Sequence, residues 1–315
     1  MVKLTVFTPT YNRSGFLETA YNALKRQTCK DFCWMIIDDG STDDTKQIVE
    51  PWLNEKEFSV VYIYKENGGL QTAYVEAIKH IKTELCLCVD SDDYLMDDAV
   101  ERLLSFWDKN GSKEYAGVVS LNKYPDGNIV GGAFPEELLV TNHREIGNGK
   151  QGRTDNDVVR MYRTEVYNET SPAKEYPGEV SLNAERQFIQ ISLKYDFIVL
   201  NEPTVVVNYQ PDGMTGNIFK SYFRSPNCYA DYRMLILSID GYGAKKYIIT
   251  SIHYVAECKI AKRKVFVKGL KRKGFVFLSF LPGKVLYYWL KKNAFKKSSF
   301  DMVMESKTKD RKVHK

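Results

Sequence analysis

The sequence predicts an α/β fold: a mainly parallel sheet covered by helices on both faces, followed by a helical, basic C-terminal extension. Three observations carry this. Through the first 120 residues, apolar β-branched runs alternate with segments of helical period. The strand runs are apolar without alternation, as strands covered on both faces are. Finally, Lys259 to Lys315 holds 18 Lys and Arg against 3 Asp and Glu, which leaves 27 basic against 37 acidic residues before it.

The elements follow in order. "KLTVFTPT" (3–10) is a strand run. "SGFLETAYNALKRQ" (14–27) sets Phe16, Leu17, Ala20, Ala23 and Leu24 at helical spacing, with Ser14 as its cap. "FCWMIIDD" (32–39) reads as a buried strand, and "STDDTKQIVEPWL" (41–53) as a helix opened by capping residues and acids. Then come a strand (59–66), a helix (70–81), the strand "ELCLCVD" (84–90), a helix (96–110) and the strand "YAGVVSLN" (115–122). Residues 123–175 show no clear period and carry Gly131, Gly132, Gly147, Gly149 and Gly152, so they read as loops with short strands. "NAERQFIQISLKY" (183–195) is a helix, and "DFIVLNEPTVVVNY" (196–209) a strand, a turn and a strand. "QPDGMTGN" (210–217) has turn chemistry, and beyond it the chain is helical, aromatic and basic. The expected division is a domain over 1–215, itself in halves 1–120 and 121–215, and an extension over 216–315.

With 43% hydrophobic and 27% charged residues the chain can bury a core, which excludes wholesale disorder. Its six Cys form no CxxC pair, and Cys86 and Cys88 share one strand face as packing thiols, so a reducing compartment is expected. Residues 2–10 run straight into a strand pattern with no signal-peptide signature, which points to the cytoplasm.

In a parallel α/β sheet, ligands bind beyond the carboxyl ends of the strands. Here those ends read "TPTYNR", "DDGS", "ENGG" and "DSDD". Asp90 and Asp92 repel each other, and a divalent cation relieves both their repulsion and their dehydration. Mg²⁺ and Mn²⁺ take hard oxygen ligands and leave positions for phosphate oxygens. A solvated acidic loop ahead of a helix capped by Asp97 and Asp98 fits the same stretch equally well. Asp38 and Asp39 precede Gly40, where a carboxylate can accept a base N–H, although a turn with Ser41 as helix cap also fits. Tyr11 can stack on a base and Arg13 can meet phosphate, or the aromatic can simply cover the sheet edge. Gly68 and Gly69 permit a close backbone approach to a ligand, or form an ordinary turn.

Taken together, "VFTPTYNR", "MIIDDGSTDDT", "ENGG" and "CVDSDDYL", in this order and spacing, resemble the nucleotide-sugar half of the inverting family 2 glycosyltransferases of GT-A fold. The resemblance covers roughly residues 3–110. "EYPGE" (175–179), "VNYQPDGMTGN" (207–217) and "YFRSPNCYADYR" (222–233) extend it, less specifically, to bacterial members that build surface polysaccharides such as capsule. It implies a Rossmann-like GT-A sheet, a nucleotide-sugar donor, UDP-linked by expectation, and Mn²⁺ or Mg²⁺ as cofactor. It also implies that Thr8, Pro9, Tyr11 and Arg13 border the nucleotide and that Asp39 bonds the uracil ring, with Asn67, Gly68, Gly69 and Ser91 in the donor loops. Asp90 then lies near ribose and metal, Asp92 ligates the metal as the last Asp of a DxD motif, and Asp93 orients the sugar or the loop.

One departure stands out. Relatives often place Lys-His after "NGG", where this chain has Leu70-Gln71. Lys65, Arg153 or Arg163 is the candidate replacement cation.

The family reaction is a single inverting displacement, which needs a carboxylate base. Glu179, after a Pro-Gly loop and ahead of the helix, is the first candidate. Glu185, within a helix and beside Arg186, is the second. The four His are scattered and support no catalytic arrangement.

The segment 259–297 mixes Lys and Arg with Phe, Leu, Tyr and Trp, and its longest uncharged stretch, 274–283, is too short to span a bilayer. An anionic membrane surface fits it best, ahead of nucleic acid, for which no fold motif is present. A helical pair packed on the domain with a solvated face is the plain alternative. The expected location is cytoplasmic, peripheral on the inner face of the plasma membrane, with a glycan or lipid-linked oligosaccharide as acceptor and no nucleic acid. A non-catalytic nucleotide-sugar-binding or scaffold subunit is the alternative function. A nicotinamide-dependent dehydrogenase lacks its GxGxxG loop after the first strand.

Overall fold

The structure is a computed structural model that describes residues 2–148, 153, 157–170, 176–180, 185–210, 213, 214 and 216–296. Gly149, Gly152, the helix start at Asn183 and Ala184, parts of "EYPGE" and "QPDGMTGN", and the tail from 297 lie outside the described residues. Contacts divide the chain into two compact units, Met1–Ser171 with Gln190–Asn208, and Pro172–Ile189 with Tyr209–Lys315.

The sequence-ordered elements up to the end of the sheet are β1 (Leu4–Thr10), α1 (Ser14–Lys25), β2 (Phe32–Asp38), α2 (Thr45–Val49), β3 (Ser59–Tyr64), α3 (Leu70–His80), β4 (Leu85–Cys88), β5 (Tyr94–Leu95), α4 (Ala99–Asn110), β6 (Tyr115–Lys123), β7 (Val140–Thr141), α5 (His143–Gly147), β8 (Val158–Arg163), α6 (Thr164–Asn168), α7 (Glu185–Ile191) and β9 (Asp196–Val206). The sheet order is β3-β2-β1-β4-β8-β6-β9-β5, with β7 on β9. β3, β2, β1 and β4 are mutually parallel, so their carboxyl ends share one edge. β8 enters antiparallel to β4 and β6, and β6 runs parallel to β9.

The core follows the apolar runs. Every residue of β1 is buried, and Phe32, Trp34, Ile36 and Ile37 of β2 are fully enclosed. α1 buries Leu17, Ala20, Ala23 and Leu24, while α4 buries Val100, Leu103, Leu104 and Trp107.

Three local expectations change. Ser14 does not cap α1; it lies in the first turn, and its N–H donates to Asp43 Oδ2 at 3.1 Å. The helix over 41–53 shortens to α2 and a 3₁₀ turn, Glu50–Asn54, because Pro51 lacks the donor that would continue the α-helix. The strand-turn-strand of 196–209 is one strand. Its register against β6 jumps from Val119↔Val199 to Leu121↔Pro203, so the intervening residues form a bulge. Asn201 there exchanges two hydrogen bonds with the Phe134 backbone, which keeps the chain extended where a turn was expected.

The second unit is helical: α8 (Ile218–Arg224), α9 (Pro226–Ser238), α10 (Ala244–Ile260), α11 (Lys273–Leu278) and α12 (Phe280–Asn293). Ile236, Leu237, Tyr247, Tyr254, Val255, Cys258 and Val276 form its core.

Candidate functional site

The loops beyond β1, β2 and β3 are tied into one body by side chain to backbone bonds. Asn12 sits at φ +52°, a conformation Asn tolerates, and its side-chain oxygen accepts the Thr42 N–H at 2.8 Å. Its own N–H donates to the Ser41 hydroxyl at 2.9 Å. Ser41 therefore joins two loops, where the sequence suggested a helix cap. Gly40 sits at φ +80°, and a Cβ there would stand 2.6 Å from the Asn67 nitrogen, so only glycine lets the third loop close onto the second.

Asp39 completes the tie. It is 3% exposed, and its Oδ1 accepts the Gly68 N–H at 3.0 Å and the Lys65 ammonium. Its Oδ2 accepts the Gly69 N–H at 2.7 Å. A carboxylate oxygen accepts about two hydrogen bonds, so Oδ2 retains one acceptor direction. Asp38 is spent inside the fold, on the Ser41 N–H and the Tyr62 hydroxyl.

Beyond β4 the acids gather. The Asp93 N–H closes a turn on the Asp90 carbonyl at 3.0 Å, and its Oδ1 accepts the Asn208 N–H at 2.9 Å. Ser91 is buried between them. Asp90 keeps an open surface although protein crowds around it. That crowding, with the charges of Asp92 and Asp157, pushes its carboxyl up to about 7. Burial, then Asp90, pushes Asp93 up to about 9 against the pull of the Asn208 N–H. Sequence reading missed Asp157. It precedes β8, whose antiparallel pairing with β4 returns the chain to the strand end, and its Oδ1 accepts the Asn122 amide at 3.2 Å. No local signal announces it, because it lies far from the "DSDD" motif in sequence.

Among the described residues no group of three or more His, Cys, Asp or Glu forms a metal cage by itself. A Mg²⁺ or Mn²⁺ held mainly by diphosphate oxygens needs only one or two carboxylates. Asp90, Asp92, Asp93 and Asp157 offer hard oxygens whose mutual repulsion a cation relieves, so the residues fit such an ion.

The other candidates fall differently. Tyr11 is 48% exposed at the edge, and the Arg13 guanidinium lies 5.2 Å from the Phe16 ring centre. Thr8 and Pro9 are buried, and the Thr8 hydroxyl accepts the Trp34 indole N–H at 3.0 Å, so that side chain serves the core. Of the three cations offered for the missing Lys-His, Arg153 spends its guanidinium on the Val130, Gly132 and Asp157 carbonyls. Arg163 pairs in register with Leu85, at the far end of β4, and donates to the Tyr115 and Lys113 carbonyls. Lys65 alone of the three stands at the loop cluster, on Asp39.

Glu179 has an unforeseen partner. Its Oε1 accepts the Asn227 N–H at 2.9 Å and Nδ2 at 2.7 Å, and its Oε2 accepts the Cys228 N–H at 2.9 Å. It thus anchors the N-terminus of α9, where the helix dipole favours a carboxylate, and not the helix predicted over 183–195. Glu185 opens α7 and is half-buried.

The sequence profile of Glycosyl transferase family 2 matches residues 5–169. Poly(ribitol-phosphate) beta-N-acetylglucosaminyltransferase TarS of Staphylococcus aureus is 33% identical over 114 residues, 36% of this chain and 20% of that protein. This chain thus matches about a fifth of the length of that curated relative. The crystal structure of S. aureus TarS 1–349 in complex with UDP-GlcNAc superposes with a TM-score of 0.57 at 19% identity, over 98% of this chain and 92% of that one. Mannosyltransferase PcManGT of Pyrobaculum calidifontis, in complex with GDP-Man and Mn²⁺, gives 0.54 at 12% identity, over 97% and 87%. Both likenesses are of fold.

Proposed function

Since the chain belongs to glycosyl transferase family 2, we propose that it transfers a sugar from a UDP-sugar to a lipid-linked glycan acceptor. The transfer inverts the anomeric carbon and serves surface-polysaccharide synthesis at the inner face of the plasma membrane. The observation that carries the reading is the convergence at one sheet edge: Asp39 clamps the "ENGG" loop, and the Asp90–Asp93 turn presents carboxylates beyond the next strand but one. The UDP preference rests on the TarS likeness.

The acceptor hydroxyl attacks C1 of the donor sugar, the bond from C1 to the diphosphate oxygen breaks, and the hydroxyl proton passes to a carboxylate. A bound Mn²⁺ or Mg²⁺ supplies charge neutralisation at the leaving diphosphate. Asp92 would hold that ion, and Asp90 would stand beside it. The free direction of Asp39 Oδ2 suits a uracil N–H, Tyr11 offers a stacking face, and Arg13 and Lys65 offer positive charge to the diphosphate. We assign the base to Glu179, whose three donors leave one acceptor direction on Oε2 for the proton.

A second reading has one observation in its favour. Gln71, at the position of the absent Lys-His, is 3% exposed and its Oε1 has no hydrogen-bond partner among the described residues, which suits a non-catalytic nucleotide-sugar-binding or scaffold subunit. Calorimetric titration with UDP, GDP and other nucleotides, with and without Mn²⁺, separates the two when followed by turnover assays. Metal-dependent UDP binding, lost in Asp92→Ala and accompanied by transfer, supports the enzyme. Binding without turnover on any glycan acceptor supports the scaffold, and preference for GDP overturns the donor assignment.

A further inference from the structure

Helix α12 is apolar on two opposite sides. Gly283, Leu290 and Ala294 mark the side that packs: all are buried, and a Cβ on Gly283 would stand 2.5 Å from Val255 of α10. Leu281, Val285 and Tyr288 lie about half a turn round, at helical spacing. They are 73%, 61% and 62% exposed, and Leu278 at the end of α11 is 80% exposed. Single exposed apolar residues are ordinary, but a ridge of this kind marks a contact surface.

Charge identifies what meets it. Between Glu257 and Asp301 the sequence contains no Asp or Glu. Lys273, Lys284, Lys291 and Lys292 are exposed along the same helices, and Lys296 is exposed just beyond α12. A second copy seated on the ridge would bring these lysines against their own kind, whereas an anionic lipid interface satisfies both the apolar ridge and the charge. Among the described residues no helix is long and apolar enough to cross a membrane, so α12 is suited to lie along an interface.

We propose that the α11–α12 ridge enters the headgroup boundary of an anionic bilayer, with the lysines on lipid phosphates. This rests on the membrane-facing part of the proposed function and names the surface that performs it.

Tryptophan emission gives a readout. Trp34, Trp52 and Trp107 are buried and Trp289 of α12 is 40% exposed. The full chain is titrated with phosphatidylglycerol–phosphatidylcholine vesicles and with phosphatidylcholine vesicles alone. The expected result is co-sedimentation and a blue shift with the anionic vesicles only, weakened by salt. Leu281→Ser with Val285→Ser weakens binding about tenfold or more, with unchanged circular dichroism. Equal binding by the variant, no binding by the wild type, or a wild-type dimer that the variant dissociates would each overturn the ridge. UDP titration of the same samples keeps the two ideas apart. Vesicle binding that fails while UDP still binds overturns the ridge alone, and absent UDP binding overturns the proposed donor site alone.

Discussion

Asp39 holds the backbone of Gly69: its Oδ2 accepts that N–H at 2.7 Å while its Oδ1 takes the neighbouring Gly68 N–H at 3.0 Å. One carboxylate at the end of β2 therefore fixes the loop at the end of β3, thirty residues away in sequence. The same group is the proposed reader of the base, so donor recognition and loop geometry depend on a single side chain.

Asp39→Asn is expected to harm both. An amide turns an N–H₂ toward donors that the carboxylate accepted, and leaves the Lys65 ammonium on the Glu66 carbonyl without a carboxylate. The expected cost is about 3 kcal/mol of stability, together with a loss of UDP affinity greater than tenfold. Urea unfolding and calorimetry measure the two. A variant with wild-type stability would show that the loop does not depend on this clamp.

How much of this was legible is clear from the same residues. β1 to β4 and the helices between them follow from local periodicity, so the four strand-end motifs could be read in order. Their bonds could not. Thr8 sits in a motif yet serves Trp34, and Asp157 joins the acids through the antiparallel return of β8. Glu179 anchors a helix that begins near Asn227, a partner 48 residues away. Propensity and turn chemistry report neighbours in the chain, while these contacts are set by the sheet and by helix packing.

Asp92→Asn is expected to act with opposite signs in the absence and presence of metal. Without an ion it removes a charge that repels Asp90 and Asp93, so relief of that repulsion should add ~0.5–2 kcal/mol of stability. With Mn²⁺ it removes a ligand, so metal-dependent UDP binding should fall more than tenfold. Stability curves with and without Mn²⁺ show both effects. A variant that keeps wild-type metal-dependent UDP binding would show that Asp92 does not hold the ion.

His253 and Glu257 in α10 give the pH dependence of the helical unit. Burial, reinforced by Arg233, holds the imidazole down at about 3, and burial pushes the Glu257 carboxyl up to about 7. The stability that His253 contributes is complete above its ordinary pKa and is lost as pH falls toward 3. Glu257 contributes stability that is complete below its ordinary value and is lost as pH rises through 7. From pH 7 to pH 5 each changes by about 2 kcal/mol in opposite directions. His253→Gln should therefore gain about 2 kcal/mol relative to wild type over that range, and Glu257→Gln should lose a similar amount. Urea unfolding at the two pH values tests this, and parallel pH profiles for the variants and the wild type would refute it.

Glu179→Gln distinguishes a base from an anchor. Three donors at the start of α9 hold the carboxylate, and an amide keeps only part of that set, so a loss of about 1–2 kcal/mol of stability is expected from the anchor alone. Acting as base, Glu179 also takes the acceptor proton, and its removal should lower kcat by a hundredfold or more while UDP affinity stays unchanged. Asn227→Ala supplies the control: it deletes one of the three donors and leaves the carboxylate in place, so it should share the loss of stability and keep most of kcat. If the two variants lose stability and kcat in the same proportion, Glu179 is an anchor only. Glu185→Gln would then be the next variant to assay for the missing base.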